Sequence, residues 1–242
     1  MGYVDLHCHL LWDLDDGCRS PEETLLAARC LAAVGFTDAA PSPHVQARYG
    51  GGDPRLSRKR LDEARALLAS ASIELGLHAG GENVLDDEFL ARAGSGEMRG
   101  IGEVGRYALV ELPFQAEVPN LPELLARLRE KGLTRPILAH PERCLEFQRR
   151  GRAAEAVRLG AALQLNLGAL TGRHGRHVRK LAERFLDEGL YAVAGTDLHA
   201  AEGADEWIGD ALEALAERAG SAALRRLCDE NPRRALAGED LS

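Results

Sequence analysis

The chain leaves its first short apolar strand at Asp5-Leu6-His7-Cys8-His9, and Asp16-Gly17 follows seven residues after the second histidine. Two imidazoles one residue apart at the end of a strand can face one metal ion, because the backbone departs from the β conformation there and the side chains need not alternate. The same pair could also be two surface histidines near the start of the chain. The rest of the sequence has to decide between these two interpretations.

The composition predicts one α/β domain over residues 1–242. With 45% hydrophobic residues the chain can bury a large core, and no linker rich in proline or serine divides it. The start Met1-Gly2-Tyr3-Val4-Asp5 has neither a basic segment nor a long apolar run, so we expect no membrane insertion and a cytoplasmic location. Five cysteines without Cys-x-x-Cys spacing are expected to be reduced thiols. The formal net charge of −8 argues against nucleic acid as a partner.

Strands and helices are predicted to alternate along the chain. Ser20-Pro21-Glu22-Glu23 is a capping box that starts the first helix, and Gly35 follows the end of that helix. Further helices are predicted over 56–70, 86–93, 121–131 with Gly132 as its stop, 152–159, 175–188, and from 205 onward with a break at Asn231-Pro232. Seven strands are predicted over 3–7, 36–40, 73–78, 107–111, 136–140, 162–166 and 191–195.

Seven strand–helix units in series are typical of a parallel sheet or barrel with outer helices. Each crossover is long enough to contain its helix, which parallel pairing requires. Because no eighth unit is visible, we favour a distorted or incomplete (β/α)7 TIM-like barrel over a doubly wound sheet. The positions of the polar residues also favour the barrel.

Nearly every predicted strand is followed within a few residues by an imidazole or a carboxylate. In a parallel barrel the C-terminal ends of all strands lie on one face, where such folds assemble their sites. We therefore predict that these side chains share one site, together with Asp16. The strand-end residues are His7, His9, His44, Glu82, Glu111, His140, Asn166, Asp197 and His199.

The five imidazoles and four carboxylates of this set are more ligands than one metal ion requires. Two or three clustered divalent ions are therefore expected. Histidine combined with carboxylate suits manganese, iron or zinc better than calcium or magnesium, and the sequence does not choose among the three. Other polar residues are expected to lie outside the site: His78 within a strand, His174 and His177 in solvent, and Glu97 and Glu103 in an exposed loop.

These motifs resemble the polymerase and histidinol phosphatase (PHP) superfamily over nearly the whole chain. Within it, the chain is most similar to the bacterial manganese-dependent tyrosine-protein phosphatases encoded with capsule and exopolysaccharide genes. The resemblance is carried by the His-x-His start, Ser42-Pro43-His44, Gly81-Glu82, Leu109-Val110-Glu111, Ala139-His140-Pro141-Glu142-Arg143, Thr196-Asp197-Leu198-His199 and Asp229-Glu230-Asn231-Pro232-Arg233.

The resemblance implies a PHP fold with three metal ions and an arginine that binds phosphate. One ion would be held by His7, His9, Glu82 and Asp197, a second by Glu82, Glu111 and His140, and a third by Asp16, His44 and His199. Arg143 would contact the phosphate and serve catalysis. The family often has another arginine shortly after its Asp-x-His motif, whereas this chain continues Ala200-Ala201-Glu202-Gly203-Ala204-Asp205. Arg48, Arg173 and Arg176 are candidates to replace it, and Arg48 is predicted to bind substrate.

The function implied by the resemblance is hydrolysis of protein phosphotyrosine, with a bacterial tyrosine kinase that controls polysaccharide export as the partner. A metal-activated hydroxide would attack the phosphate monoester in line, without a covalent enzyme intermediate. Three alternatives stay open. The protein could hydrolyse a small molecule such as histidinol phosphate, bind a phosphorylated partner without turnover, or use Cys144 or Cys228 of two Cys-x5-Arg matches as a nucleophile.

Overall fold

Nine short parallel strands run through residues 2–130 and 135–242, which are the residues that the computed structural model describes. The strands are β1 (Tyr3–Asp5), β2 (Phe36–Ala39), β3 (His44–Val45), β4 (Gly76–Leu77), β5 (Glu82–Val84), β6 (Tyr107–Glu111), β7 (Arg135–Ala139), β8 (Ala162–Asn166) and β9 (Val193–Gly195). The helices are α1 (Pro21–Ala33), α2 (Pro54–Ser70), α3 (Phe89–Ser95), α4 (Leu121–Glu130), α5 (Arg152–Arg158), α6 (Leu167–Leu170), α7 (Arg176–Asp187), α8 (Ala204–Arg225) and α9 (Asn231–Ala237).

Two of the barrel strands are bent, and each is therefore recorded as two short segments. Hydrogen bonding gives the strand orders β1-β2-β4 and β3-β5-β6-β7-β8-β9. β2 and β3 form one bent strand, and β4 and β5 form the strand beside it, because β2 pairs with β4 and β3 pairs with β5. Two backbone hydrogen bonds continue this pairing around the bend: His78 N donates to Ala39 O (2.8 Å), and Glu82 N donates to Pro43 O (3.1 Å). Pro41 and Pro43 lie at the bend between β2 and β3, where proline has no N–H to donate to the strand ladder. Nine segments thus make seven barrel strands.

The barrel closes between its first and last strands, just beyond the ends of β1 and β9. Cys8 forms a parallel bridge with Leu198. His9 N donates to Leu198 O (2.8 Å), and Asp197 N donates to His7 O (2.7 Å). The predicted distorted (β/α)7 barrel is confirmed by this ring of strands with its outer helices.

Successive side chains of each strand point alternately into the barrel interior and toward the outer helices. In β6, Tyr107 and Leu109 belong to a buried cluster that also contains Ile137 and Val193 of neighbouring strands. Val110, the residue after Leu109, packs instead into the larger core that includes the helices. Because side chains alternate, the next inward residue after Leu109 is Glu111, at the C-terminal end of the strand. The fold itself therefore aims this carboxylate into the mouth of the barrel.

Two predicted boundaries differ from the structure, and a third lies outside the described residues. The strand predicted over 73–78 is recorded only as Gly76–Leu77, and it resumes at Glu82 after a bend that the sequence pattern did not indicate. The break predicted at Asn231-Pro232 is wrong, because the backbone stays helical at Asn231 (φ −69°, ψ −41°) and proline is tolerated in the first turn of a helix. The break lies instead at Gly220, where φ is 84°. The predicted end at Lys131-Gly132 lies outside the described residues.

None of the helices in the described part of the chain combines the length and the apolar composition that a bilayer crossing needs.

The N-terminus of α1 is capped as the sequence predicts, and the cap should contribute measurably to stability. Ser20 Oγ accepts a hydrogen bond from Glu23 N (3.3 Å), while Glu23 accepts one from Arg19 N (2.8 Å). We expect Ser20→Ala to lower the free energy of unfolding by about 1 kcal/mol, because the Glu23 N–H loses its partner. Urea denaturation measures this. Ser70→Ala, at the C-terminal end of α2, is the matched control and should change stability by less than about 0.5 kcal/mol. Equal effects of the two substitutions would contradict the capping role.

Candidate active site

Nine of the ten side chains predicted to share the site converge at the C-terminal mouth of the barrel, and the tenth, Asn166, donates a hydrogen bond to one of them, Asp197. They form four overlapping groups, and within each group the atoms able to bind a metal lie within 4.8 Å of one another. The groups are His9-Asp16-His44-His199, His7-His9-Glu82, His7-His140-Asp197 and His44-Glu82-Glu111. Sequence separation between these residues is large, so it is the closed barrel that brings them together.

Glu82 occupies the centre of this cluster and is completely buried. Its carboxylate oxygens lie 3.0 Å from His44 Nδ1, 3.2 Å from His140 Nε2, 3.3 Å from His7 Nε2 and 3.6 Å from His9 Nε2. Burial alone would raise the pKa of Glu82, but the surrounding imidazoles hold it well below its usual range. The cluster is therefore built around one buried negative charge.

Oxygen partners fix the direction in which two of the imidazoles face. His9 Nδ1 lies 2.6 Å from Asp15 Oδ2, and His7 Nδ1 lies 3.1 Å from Gln164 Oε1. The opposite nitrogens, His9 Nε2 and His7 Nε2, point to one place and are 3.4 Å apart. A ring held at one nitrogen by an oxygen, with the other nitrogen turned inward, is the usual arrangement of a histidine that ligates a metal.

Asp15 and Gln164 are site residues that the sequence analysis missed. Asp15 accepts hydrogen bonds from Gly17 N (2.9 Å) and His44 N (2.9 Å) in addition to its contact with His9. These contacts, mainly the one with His9, overcome the effect of burial and lower the pKa of Asp15 to about 2. The available signal was the Asp15-Asp16-Gly17 run, since an aspartate two residues before a glycine often bonds that glycine's N–H. Gln164 had no comparable signal, because a neutral residue inside a strand reads as part of the core.

Asp16 and His199 lie at the outer edge of the cluster. The Asp16 side chain is 55% exposed, and its Oδ1 lies 3.4 Å from His44 Nε2 and 3.6 Å from His199 Nε2. His199 Nδ1 is held 2.9 Å from the carbonyl oxygen of Asp197, which leaves Nε2 directed toward Asp16. An ion at this edge would be more accessible to solvent than one beside Glu82.

Several buried nitrogen and oxygen atoms of the cluster have no hydrogen-bond partner among the described residues. His44 Nδ1 and Glu82 Oε2 lie 3.0 Å apart but are not aligned for a hydrogen bond, and His140 Nδ1 has no partner in the described part of the chain either. Buried polar atoms without partners are rare in folded proteins and call for an explanation such as a ligand. A set made only of imidazoles and carboxylates, without thiolates, is the donor chemistry that manganese, iron and zinc accept. The residues therefore fit a cluster of divalent ions.

Two cluster residues have left-handed backbones, which few residues other than glycine adopt. His140 has φ 31° and Asp197 has φ 56°. Such conformations cost about 1–3 kcal/mol each and are concentrated at functional sites. They turn the chain at the ends of β7 and β9. Gly195, just before this turn, is needed because a Cβ there would lie 2.9 Å from the Cβ of His7.

Arg143 lies beside the cluster and faces a cavity. Its Nη1 donates to Asp197 Oδ2 at 2.6 Å, and Asn166 Nδ2 donates to the same oxygen at 2.9 Å. The guanidinium also lies over the ring of Phe114, 4.5 Å from its centre. The cavity has a volume of about 370 Å³, and its lining includes Arg143, Asn166, Arg173, His174, Asp197, His199, Glu202 and Trp207.

The three arginines considered as additional phosphate contacts occupy different places. Arg173 lines the cavity, with its guanidinium 4.5 Å from the ring centre of Trp207. Arg48 is exposed and lies over Tyr49 at 4.7 Å, outside the residues that line the cavity. Arg176 is exposed and does not line the cavity either.

Of the histidines and glutamates expected outside the site, one lies in it. His174 was expected in solvent, but it lines the cavity, and burial together with the positive charge of Arg143 lowers its pKa to about 4. His177 is exposed as predicted, as are Glu97 and Glu103. His78 Nε2 bonds to Asp38 Oδ1 (2.9 Å), away from the cluster. The expectation was based on the arginines that flank His174 in the sequence, whereas in the fold its side chain and that of Arg143 line the same cavity.

Residues 3–237 match the family described as capsular polysaccharide synthesis, CpsB/CapC. The chain belongs to the CpsB/CapC family. The match covers all nine cluster residues and Arg143.

Individual members of the CpsB/CapC family are similar along most of the chain. A Staphylococcus aureus protein named CapC is 30% identical over 198 residues, which are 81% of this chain and 76% of that protein. The tyrosine-protein phosphatase YwqE of Bacillus subtilis is 27% identical over 220 residues, covering 90% and 85% of the two chains. A solved structure from work on YwqE and on CpsB of Streptococcus pneumoniae, described as unique metal-dependent tyrosine phosphatases, superposes with a TM-score of 0.90. That chain is 25% identical, with 99% of this chain and 96% of that one covered.

Metal binding to the cluster should release protons and strengthen as the pH rises. Burial lowers the pKa of His7, but Glu82 and Asp197 outweigh it and raise the pKa to about 9. His7 therefore carries a proton at pH 7 that an ion must displace. We expect the affinity of the metal-stripped protein for Mn²⁺ to rise about tenfold per pH unit between pH 6 and 8.

Calorimetric titrations in two buffers of different protonation enthalpy would count the released protons. His177→Ala, which removes an exposed imidazole outside the cluster, should release the same number as the unaltered protein. Equal Mn²⁺ affinity at pH 6 and pH 8 would show that no protonated ligand is displaced.

Proposed function

We propose that this protein is a metal-dependent phosphatase that hydrolyses phosphotyrosine in proteins. The observation that carries this proposal is the buried cluster of imidazoles and carboxylates that opens, beside Arg143, into one cavity. The name of YwqE and the description of the solved YwqE and CpsB phosphatases support the same activity. A site of this kind suits a phosphate ester, because hydrolysis of a phosphate ester requires neutralisation of its negative charge.

The nine cluster residues are proposed to hold two or three divalent ions, with manganese as the first choice and iron or zinc as alternatives. The groups His7-His9-Glu82 and His44-Glu82-Glu111 support two positions around the buried carboxylate of Glu82. The group His9-Asp16-His44-His199 supports a third, more exposed position. When bound, such ions lower the pKa of a coordinated water and neutralise the nonbridging oxygens of a phosphate monoester.

Arg143 is proposed to bind the phosphate during its transfer. Asp197 and the ring of Phe114 hold its guanidinium at the edge of the cluster. Since only Nη1 is committed to Asp197 Oδ2, the remaining N–H groups can donate to phosphate oxygens from a fixed fork. Asn166 keeps Asp197 in place by donating to the same carboxylate oxygen. Arg48 is proposed as a substrate contact further out.

The depth of the site favours a phosphate carried on a long, slender group. Glu82 and His7 at the bottom are fully buried, whereas Phe114 near the mouth is 38% exposed. A tyrosine side chain extends its phosphate further from the peptide backbone than a serine side chain does. In addition, a phenolate leaves readily without a general acid. That fits a cavity in which His174, with a pKa of about 4, carries no proton to give as an imidazolium at neutral pH.

The cysteine-phosphatase alternative finds no support in the surroundings of the two candidate thiols. Cys144 and Cys228 are both buried, and burial raises the pKa of each thiol above its usual value. Cys144 Sγ donates weakly to the carbonyl oxygens of Leu112 and His140, both at 3.7 Å. A nucleophilic cysteine needs the opposite setting, with a lowered pKa and access to substrate.

The wider role of the protein is proposed from the description of its family. Control of capsular or exopolysaccharide synthesis follows from that description, and the tail of a bacterial tyrosine kinase is the proposed protein substrate. Residues 1–242 are proposed to form one phosphatase domain, which the family match over residues 3–237 supports. The cytoplasmic location stays a prediction.

Phosphate release tests the proposed activity directly. We expect metal-stripped protein given Mn²⁺ to hydrolyse a phosphotyrosine peptide, and His140→Ala to lower its kcat by about 100-fold or more, because the Glu82 side of the cluster loses a ligand. Cys144→Ser should retain activity. Preferential turnover of histidinol phosphate would assign the protein to small-molecule chemistry. Loss of turnover in Cys144→Ser but not in His140→Ala would contradict the metal-dependent mechanism. Binding of the peptide without any turnover would indicate a phosphopeptide-binding module.

Replacement of Arg143 should impair turnover more than metal binding. We expect Arg143→Ala to lower kcat about 100- to 1,000-fold, because a preorganised donor to the transferred phosphate is lost. Arg143→Lys should recover only part of this activity, since it keeps the charge but loses the fork. Bound Mn²⁺, measured by elemental analysis, should be unchanged. Arg158→Lys, at an exposed position of α5, is the control. Full activity in Arg143→Ala would contradict the role.

A further inference from the structure

Two exposed arginines near the mouth of the site lie on aromatic rings. Arg48 lies over Tyr49 at 4.7 Å, and Arg173 lies over Trp207 at 4.5 Å. Ion pairs within 4.0 Å are numerous elsewhere on this chain, yet neither of these guanidiniums has one among the described residues. Other exposed arginines, Arg158 and Arg176 among them, also lack an ion pair within the described residues, so what distinguishes these two is their position beside the cluster and its cavity. We call Arg48-Tyr49 and Arg173-Trp207 the outer arginine pairs.

The outer arginine pairs lie on different sides of the cluster. The Tyr49 ring stacks on His44 with centroids 5.5 Å apart and planes inclined by 19°. His44 in turn lies 6.2 Å from the ring of His199, which lines the cavity together with Arg173 and Trp207. The sequence of contacts therefore runs from one outer pair, across the His44 and His199 edge, to the other. A peptide that placed a phosphotyrosine over this edge could reach both pairs.

Arg173 is held firmly for an exposed arginine. A Cβ added at Gly168 would lie 3.2 Å from Arg173 Cδ and 3.5 Å from Trp207 Cζ3, so the arginine stem and the indole pack closely over the glycine. Arg173 N also donates to Gly168 O at 3.1 Å. A planar guanidinium fixed in this way loses little conformational freedom when it binds an anion. One face rests on the indole, and its edges are available to a ligand.

The outer arginine pairs and Arg143 occupy different positions relative to the cluster. Arg143 is committed to Asp197 at the edge of the cluster, where the transferred phosphate would lie. Arg173 is on the exposed part of the same cavity wall, and Arg48 is outside the cavity lining. The exposed carboxylate of Glu202 also lines the cavity, so the mouth is not uniformly positive. Only groups that reach a guanidinium edge would be favoured there.

We propose that Arg48 and Arg173 bind negatively charged side chains of the phosphopeptide on either side of the phosphotyrosine. The inference rests on the proposed phosphotyrosine-protein phosphatase activity and adds a preference among its substrates. The favoured neighbours are carboxylates or a second phosphotyrosine. Each of these groups offers two negatively charged oxygens to which a guanidinium can donate two parallel N–H bonds. The two outer pairs act as specificity determinants and take no part in the bond cleavage.

The test compares phosphotyrosine peptides that differ only in their flanking residues, at low salt and with Mn²⁺ present. One peptide has neutral flanks, one has glutamates on both sides, and one has a second phosphotyrosine. We expect kcat/KM to be about tenfold higher for each anionic peptide than for the neutral one, mainly through a lower KM, since two exposed ion pairs supply about that factor. The ratio should fall with added salt, because exposed pairs are screened.

Arg48→Gln and Arg173→Gln should each reduce the ratio about threefold, and the double variant should abolish it. Arg173→Lys should retain part of it. Arg176→Gln removes the same charge three residues away, outside the cavity lining, and should leave the ratio unchanged. Thermal unfolding of each variant with Mn²⁺ shows that the comparison is made on folded protein.

A double variant with the same ratio as the unaltered protein would overturn the inference. So would an equal loss of turnover on neutral and anionic peptides, because the arginines would then act on the transferred phosphate. A preference for only one of the two anionic peptides would identify the source of the charge, and its loss in the double variant would support the inference. Absence of turnover on every phosphotyrosine peptide would instead refute the proposed function, and this inference with it.

Discussion

The buried carboxylate of Glu82 constrains the structure of the whole barrel mouth. A negative charge without exposure to water is tolerated only where partners replace its hydration, and here imidazoles of His7, His44 and His140 do so at 3.0–3.3 Å. Glu82 and His44 are also direct neighbours in the β3–β5 ladder. Removing any one partner would leave charge uncompensated in the interior. The cluster is therefore a single unit whose members depend on one another.

This arrangement of imidazoles around Glu82 requires two of the barrel strands to bend. β2 and β4 run along the lower barrel, and both strands must bend before His44 and Glu82 can face the centre. Gly80 lies at the second bend, where a Cβ would be 2.6 Å from the carbonyl oxygen of Pro41 in the neighbouring strand. Only glycine permits so close an approach of two backbones. The proline-rich and glycine-rich bends thus match each other across the ladder, and the regular sheet is interrupted where the site begins.

The barrel, and the gathering of nine predicted side chains at its mouth, could be predicted from the sequence because both depend on simple regularities. Strands that end in imidazole or carboxylate residues must present them at one face when the strands are parallel. The sequence was insufficient where a tertiary contact decides between equivalent residues. Asp15 and Asp16 are indistinguishable in the pattern, yet one orients His9 and the other lies at the outer edge. Likewise the helix continues at Pro232 and breaks at Gly220, since local propensity alone does not fix how the C-terminal helices pack.

The site is built from two sets of residues with different physical settings. The cluster residues beside Glu82 are buried and mutually dependent, and strand ends and turns of the barrel hold them, so substitutions there affect the fold as well as any bound ion. The outer residues Arg48, Arg173 and Glu202 are exposed and lie in connecting segments outside the strands and helices. Exposed charges contribute little to stability, so these positions can change without disturbing the cluster. The barrel can therefore keep one chemistry at the centre while the surrounding segments change which substrate reaches it.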